Sequence, residues 1–246
     1  MIRSILALAE ILIFFILSIP IMIFLCILRI FNSKLSEKIS NIIVKFIFKL
    51  LIVTLTIKVH ISGLSNIPEN TSVLFTANHL SIFDVVTTYP YIKGPCGYLA
   101  KKELLKVPFL NVWMYLIECM FLDRKNIKAG LLTINKAINK IKSGISIFVF
   151  PEGTRSKDGN LGEFKAGSFK IATRTKAPII PISIKGTNNV LSKNPFLVKA
   201  TDVYINIGKP IYTKDLSRDE LKHIDKKVRE AILSLSSFTS ASWYIF

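Results

Sequence analysis

Residues 127–156 read IKAGLLTINKAINKIKSGISIFVFPEGTRS, and two different periods stand side by side in them. Ile127, Leu131, Ile134, Ile138 and Ile141 recur at steps of four, three, four and three, which predicts an amphipathic helix, and Gly144 supplies its C-terminal stop. Ile145 to Phe150 is apolar at every position but Ser146, short and rich in β-branched and aromatic residues, so it reads as a strand buried on both faces. Helix followed by doubly buried strand is the signature of an α/β layer, and the flanking sequence repeats it. Further strands are expected at Lys58 to Ser62, Ser72 to Thr76, Gly97 to Ala100, Cys119 to Leu122, Ile179 to Ile184 and Asp202 to Ile207. Further helices are expected at Phe164 to Thr175 and from Asp219 to about Ser236. The class is α/β, a mixed and largely buried sheet flanked by helices.

The first 57 residues differ in kind. Ile11 to Leu28 is eighteen residues without a charge, and a helix of that length spans about 27 Å, close to the ~30 Å of a bilayer's hydrocarbon core. Pro20 lies inside the run, so a kinked or re-entrant helix is as reasonable as a straight span. Arg3 precedes the run, while Arg29, Lys34 and Lys38 follow it, which places the remainder at the cytoplasmic face of a cell membrane. Ile42 to Leu55 reads as an interfacial helix whose Lys45 and Lys49, four apart, meet lipid phosphates; the alternative is an amphipathic helix packed on the domain. The expected division is 1–57, membrane-associated helices, and 58–246, a catalytic domain. The terminal Trp243-Tyr244-Ile245-Phe246 is either an aromatic anchor or a segment packed on the domain.

Of 246 residues, 33 are basic and 16 acidic, a net charge of +17, and half are hydrophobic, which excludes a disordered chain. Such an excess suits nucleic acid, or a membrane surface and anionic small molecules. No nucleic-acid motif is present to favour the first. Cys26, Cys96 and Cys119 have neither disulfide nor metal spacing and read as small buried hydrophobes.

The chemistry is carried by two segments. In Asn78-His79-Leu80-Ser81-Ile82-Phe83-Asp84, histidine and aspartate five apart would point about 140° from each other on one regular helix, so they meet only across a loop-to-helix junction. If they meet, Asp84 holds one imidazole nitrogen and leaves the other as a base toward a hydroxyl. In Phe150-Pro151-Glu152-Gly153-Thr154-Arg155-Ser156, Pro151 ends the strand, Gly153 permits an unusual backbone angle and Arg155 presents a fork suited to phosphate oxygens. There is no phosphate-binding Gly-Lys-Ser/Thr loop, no zinc-protease motif and no serine nucleophile elbow.

With these segments the chain resembles the glycerolipid acyltransferases, most of all the bacterial 1-acylglycerol-3-phosphate (lysophosphatidic acid) acyltransferases, over about 58–211. The family's N-H-x-S-x-x-D is matched by Asn78, His79, Ser81 and Asp84, its strand ending in D-R by Phe121-Leu122-Asp123-Arg124, its F-P-E-G-T-R-S by Phe150 to Ser156, and its strand proline by Pro181. Relatives often carry a glycine shortly before D-R, where this chain has Glu118-Cys119-Met120. Pro181 could equally mark an edge strand or a bulge. The resemblance implies transfer of a fatty acyl group from acyl-CoA or acyl carrier protein to the free hydroxyl of a lysophospholipid, in phospholipid biosynthesis, with no cofactor and no metal. It implies His79 as the base and Asp84 as its support, with Arg124 and Arg155 binding the phosphate. Lys102 is a third candidate cation, and Glu152, Gly153 and Thr154 shape the acceptor pocket. The expected partners are the lysophospholipid, the acyl thioester and membrane lipids, not nucleic acid; the acceptor could also be glycerol 3-phosphate or another lysolipid. A non-catalytic basic module is the reading from another class. Val107 to Leu116 lines an acyl groove or is plain core.

Overall fold

The computed structural model describes residues 2–191 and 197–237, and the backbone of 244–245. Trp243 and Phe246, half of the aromatic tail, lie outside the described residues. In chain order the helices are α1 (Ile2–Phe31), α2 (Ser33–Thr54), α3 (Phe83–Thr88), α4 (Leu110–Leu116), α5 (Ile127–Lys142), α6 (Lys170–Thr175), α7 (Arg218–Lys222) and α8 (Ile224–Ser237). The strands are β1 (Ile57–Ser62), β2 (Leu74–Ala77), β3 (Cys96–Lys101), β4 (Met120–Leu122), β5 (Ser146–Val149), β6 (Pro178–Lys185), β7 (Thr201–Ile207), β8 (Ile211–Tyr212) and β9 (Tyr244–Ile245).

One sheet runs β4-β3-β5-β2-β6-β7-β1-β9, with β8 on β6. The first five are mutually parallel, and β7 turns antiparallel to β6 while staying parallel to β1. All seven expected strands are present. The central strands β2, β5 and β6 are buried on both faces because two cores sandwich the sheet. Phe75, Phe148 and Ile180 point into one core, shared with α1 to α4, whereas Leu74, Ile147 and Ile179 point into the other, beneath α5, α6 and α8. Adjacent residues alternate between the cores, as strand geometry requires.

Pro181 is not at an edge; it lies opposite a one-residue bulge, where Gly208 to Pro210 face only Ile180 and Pro181 between the β6–β8 and β6–β7 pairings. It sits inside β6 opposite Thr76 of β2, and its carbonyl accepts from Gly208 N at 2.8 Å, on the side where β6 passes from partner β8 to partner β7. The N–H that proline lacks would point the same way, into that gap, so no ladder bond is lost. The expected C-terminal helix is two, α7 and α8, meeting at His223; a capping box between Ser217 and Glu220 starts the first. The helix expected from Phe164 begins as a 3-10 turn at Ala166–Phe169.

α1 continues through Pro20 without a break. It is long and apolar enough to cross a membrane, yet it stays on the domain for nearly its whole length. Ser4 Oγ accepts from Val198 N at 3.0 Å, Trp113 Nε1 donates to Ser18 Oγ at 3.1 Å, and Arg29 pairs with Glu118. Ser4 and Arg29 are about 37 Å apart along a helix. Its other face, including Ile5, Leu12, Ile16 and Phe24, is exposed. α2 packs on the domain through Val44, Leu51 and Ile52. Lys45 does not meet lipid phosphate as expected; it turns inward and donates to Ile92 O at 2.6 Å, because its helix face is the one the domain covers. Lys49 is exposed. In α4, Trp113 and Leu116 are buried core.

Candidate active site

β2 ends where Asn78 replaces backbone pairing with side-chain pairing. Its Nδ2 donates to Ile184 O and its Oδ1 accepts from Ile184 N, both at 2.8 Å, so the amide completes the β2–β6 ladder and frees the chain to turn. His79 then stands at the carboxyl end of the parallel strands, and Asp84 lies in the first turn of α3. His79 Nδ1 meets Asp84 Oδ2 at 2.7 Å, across the loop-to-helix junction that the five-residue spacing demands. The same oxygen accepts the backbone N–H groups of Leu80 at 2.7 Å and Ser81 at 2.9 Å, while Oδ1 accepts from Thr187 Oγ1 at 2.5 Å. Asp84 is fully buried, so these donors are what make its charge tolerable.

A carboxylate accepts only, which assigns the imidazole proton to Nδ1 and leaves Nε2 with a lone pair. Nε2 has no hydrogen-bond partner among the described residues, and the ring keeps 19% exposure. Phe150 stacks on it at 4.1 Å between centroids. The imidazole is thus held at one nitrogen and over one face, with the other nitrogen open.

The Pro151 to Ser156 loop leaves β5, the neighbour of β2, and clamps the main chain of His79. Glu152 Oε1 accepts His79 N at 2.8 Å, and His79 O accepts Ser156 N at 2.8 Å. The other oxygen of Glu152 accepts Gly162 N at 3.0 Å. With both oxygens on backbone amides and the residue buried, Glu152 serves as a brace between loops rather than as a wall of the acceptor pocket. Gly153 turns the loop at φ +76°, the left-handed region. Thr154 and Arg155 project outward beyond it.

Arg124 and Lys102 occupy the same end of the sheet, after β4 and β3. Arg124 is exposed, and Glu103 acts on it only at a distance. Lys102 is not a free cation. It holds Asp123 at 2.6 Å, a contact that raises the lysine and lowers the aspartate from their ordinary values. Asp123 also accepts from the amides of Lys125 and Asn126, fixing the turn into α5. β4 lies three strands from β2, about 14 Å at ~4.8 Å per strand, and long arginine side chains cover part of that gap. One imidazole and two arginines without ion pairs among the described residues therefore share the carboxyl rim of the sheet, where open α/β sheets bind ligands.

The Acyltransferase family model matches residues 58–185, a span containing His79, Asp84, Lys102, Arg124, Glu152 and Arg155. The chain belongs to the acyltransferase family. A 1-acyl-sn-glycerol-3-phosphate acyltransferase of Borreliella burgdorferi is 31% identical over 196 residues, 80% of this chain and 78% of that one. A yeast protein so named, from Saccharomyces cerevisiae, is 32% identical over 73% of this chain and 60% of its own, and a chloroplast one from Brassica napus 33% over 68% and 49%. The chain thus spans about half the length of the chloroplast relative. The crystal structure of the 1-acyl-sn-glycerophosphate acyltransferase of Thermotoga maritima superposes with a TM-score of 0.73 at 28% identity, covering 97% of this chain and 99% of that one. At that coverage the N-terminal helices are part of the shared fold.

Four groups of this acyltransferase site escaped sequence reasoning. Thr187 lies 103 residues from Asp84 and carried no local signal. Asn78 was visible in the motif, but its strand-pairing role was not. Phe150 was visible in the motif, but its stacking on the imidazole was not. Lys165, whose backbone N donates to Pro151 O at 2.9 Å, lays its amine over Gly153, where an added Cβ would stand 2.8 Å from Nζ.

Proposed function

We propose that this acyltransferase moves a fatty acyl group from an acyl thioester, acyl-CoA or acyl carrier protein, to the sn-2 hydroxyl of 1-acylglycerol 3-phosphate, making phosphatidic acid. The observation that carries the reading is the His79–Asp84 pair with Nε2 open on the carboxyl rim. A hydroxyl is a poor nucleophile while protonated, so the reaction needs one oriented base. Nε2 takes the hydroxyl proton as the oxygen attacks the thioester carbonyl, and the buried carboxylate of Asp84 stabilises the imidazolium that forms. The tetrahedral centre collapses by breaking the C–S bond. The thiolate of a thiol with a pKa of ~8.5 leaves readily, and the proton on Nε2 is available to it. No covalent acyl-enzyme is needed, and the residues supply the chemistry without a cofactor.

Arg155, one residue from the amide bonded to His79, and Arg124 supply the cations for the acceptor's phosphate. The names of the relatives support this acceptor over glycerol 3-phosphate.

α1 contacts the domain near both of its ends, so a bilayer crossed by α1 would have to enclose the domain surface beside it. The exposed apolar face of α1 therefore lies in one leaflet, with the catalytic domain against the cytoplasmic face, and the site meets its lipid substrate without a desorption step. The basic excess adds attraction to anionic lipid.

The test is an assay of membranes carrying the protein with radiolabelled lysophosphatidic acid and each donor in turn, with glycerol 3-phosphate as the competing acceptor. Labelled phosphatidic acid together with released thiol is the expected product pair. Released thiol with acylated glycerol 3-phosphate, while the labelled lysophosphatidic acid stays unconverted, would overturn the acceptor assignment.

A further inference from the structure

The apolar stripe of α5 runs past the edge of the fold that should bury it. Its carboxyl half packs as expected, with Ile134, Ile138 and Ile141 buried against the sheet. Its amino half does not: Ile127 is 81% exposed, Leu132 64% and Leu131 44%. Isolated apolar residues on a surface are unremarkable, but three on the first two turns of one helix form a patch. The patch also extends beyond the helix. α5 starts beside the turn that Lys102 and Asp123 hold together, and the segment after β3 contributes Leu105, 49% exposed, and Val107, 39% exposed. A cleft of about 550 Å3 runs between that segment and α5, lined by Leu105, Phe121, Thr133, Lys136 and Lys140.

Two further observations decide what covers this surface. Lys106, Lys125 and Lys128 are exposed among its apolar side chains, a mixture suited to acyl chains below and lipid phosphates above. The surface also adjoins the lipid-facing helix, since Phe109, 39% exposed and two residues after Val107, meets Phe15 of α1 at 6.3 Å between ring centroids.

We propose that the amino-terminal overhang of α5, with the segment after β3, is a second membrane contact on the catalytic domain itself. It seats Ile127, Leu131 and Leu132 in an anionic leaflet and sets the neighbouring Arg124 at headgroup depth. The α1 anchor alone leaves the domain free to tilt, whereas a second contact beside it fixes the carboxyl rim toward the bilayer. The proposal rests on the lysophospholipid reading above, but its first test does not.

In a Cys26→Ser background, where Cys96 and Cys119 are buried, nitroxide labels are attached to Ile127→Cys, Leu132→Cys and, on the exposed face of α7, Lys222→Cys. The full chain is reconstituted in vesicles of phosphatidylglycerol and phosphatidylcholine. Collision with oxygen should exceed collision with a water-soluble nickel chelate at 127 and 132, and the reverse should hold at 222. Nickel-chelate access at 127 and 132 equal to that at 222, or spin–spin broadening from a second copy, would overturn the proposal. As a second test, Ile127→Glu with Leu132→Glu should lower transfer to vesicle-borne lysophosphatidate about tenfold or more, while transfer to a short-chain, water-soluble lysophosphatidate stays as in the unaltered protein. Equal loss on both acceptors would count against the contact. An unaltered protein inactive on both would sink the acyltransfer reading and leave the nitroxide result standing.

Discussion

Thr187 donates to the oxygen of Asp84 that His79 does not use, at 2.5 Å, so the carboxylate beneath the base is held from both sides. Thr187 is fully buried at the end of β6, and no water reaches that oxygen to replace it. Thr187→Ala should therefore leave a buried acceptor unsatisfied, cost about 1–3 kcal/mol of stability and lower turnover through a misplaced imidazole. Thr187→Ser should restore most of both. Thermal melts beside kcat decide this, and an alanine variant with normal turnover would show that Oδ1 does not position the base.

His79→Ala should reduce transfer by about 10²–10⁴-fold, the usual worth of a general base, with membrane association unchanged. Asp84→Asn should also lose most activity, because an amide can offer a donor to Nδ1 and so favour the wrong tautomer. Initial rates on reconstituted vesicles, with flotation as the control, provide the check; substantial turnover by His79→Ala would refute the assignment of the base.

Arg155→Ala should chiefly raise the half-saturation concentration for the phosphate-bearing acceptor. A charge-assisted contact of about 1.5–3 kcal/mol corresponds to a roughly ten- to hundredfold rise. A monoacylglycerol acceptor, which lacks the phosphate, should respond little. If both acceptors suffer alike, Arg155 supports the loop rather than the anion.

Glu118 holds φ +67° and is bonded by both Arg29 and Lys140. Replacing it by glycine relieves a left-handed conformation worth about 1–2 kcal/mol, but it strips the shared carboxylate from two partly buried cations, a loss of about 3–5 kcal/mol. The second effect wins, so Glu118→Gly should be destabilised, as denaturant titration in detergent micelles would report. An unchanged midpoint would mean that the ion cluster contributes nothing.

Burial pushes the Cys119 thiol up to about 12 and raises that of Cys96 as well. Neither is a thiolate near neutrality, so neither is a nucleophile. Maleimide at pH 7.5 should modify at most Cys26 and leave transfer intact, whereas in urea all three thiols should react. Inactivation that tracks modification of Cys96 would contradict this.

Much of the architecture was legible because it is local. The alternation of Leu74 with Phe75 and of Ile147 with Phe148 is written in consecutive side chains, and strand geometry alone sends them to opposite cores. The spacing of His79 and Asp84 constrained the junction they bridge, and the structure has that junction. Glu118 is a case in between. Its departure from the family's glycine was visible, but the two cations that stabilise it come from 89 residues before and 22 after.

By itself the sequence determined the class of the fold, the positions of its seven main strands, the kind of junction across which His79 and Asp84 could meet, and the apolar character of the first helix. These follow from periodicity and from chemistry within a few residues of each group. Tertiary structure alone decided that α1 lies along the domain, that Lys45 serves a backbone carbonyl, that Lys102 is taken up by Asp123, that Pro181 fills a gap between partners, and that Ile127 is left uncovered. Each of these depends on which distant surface arrives beside a residue, and a stripe of side chains carries no record of where its neighbour ends.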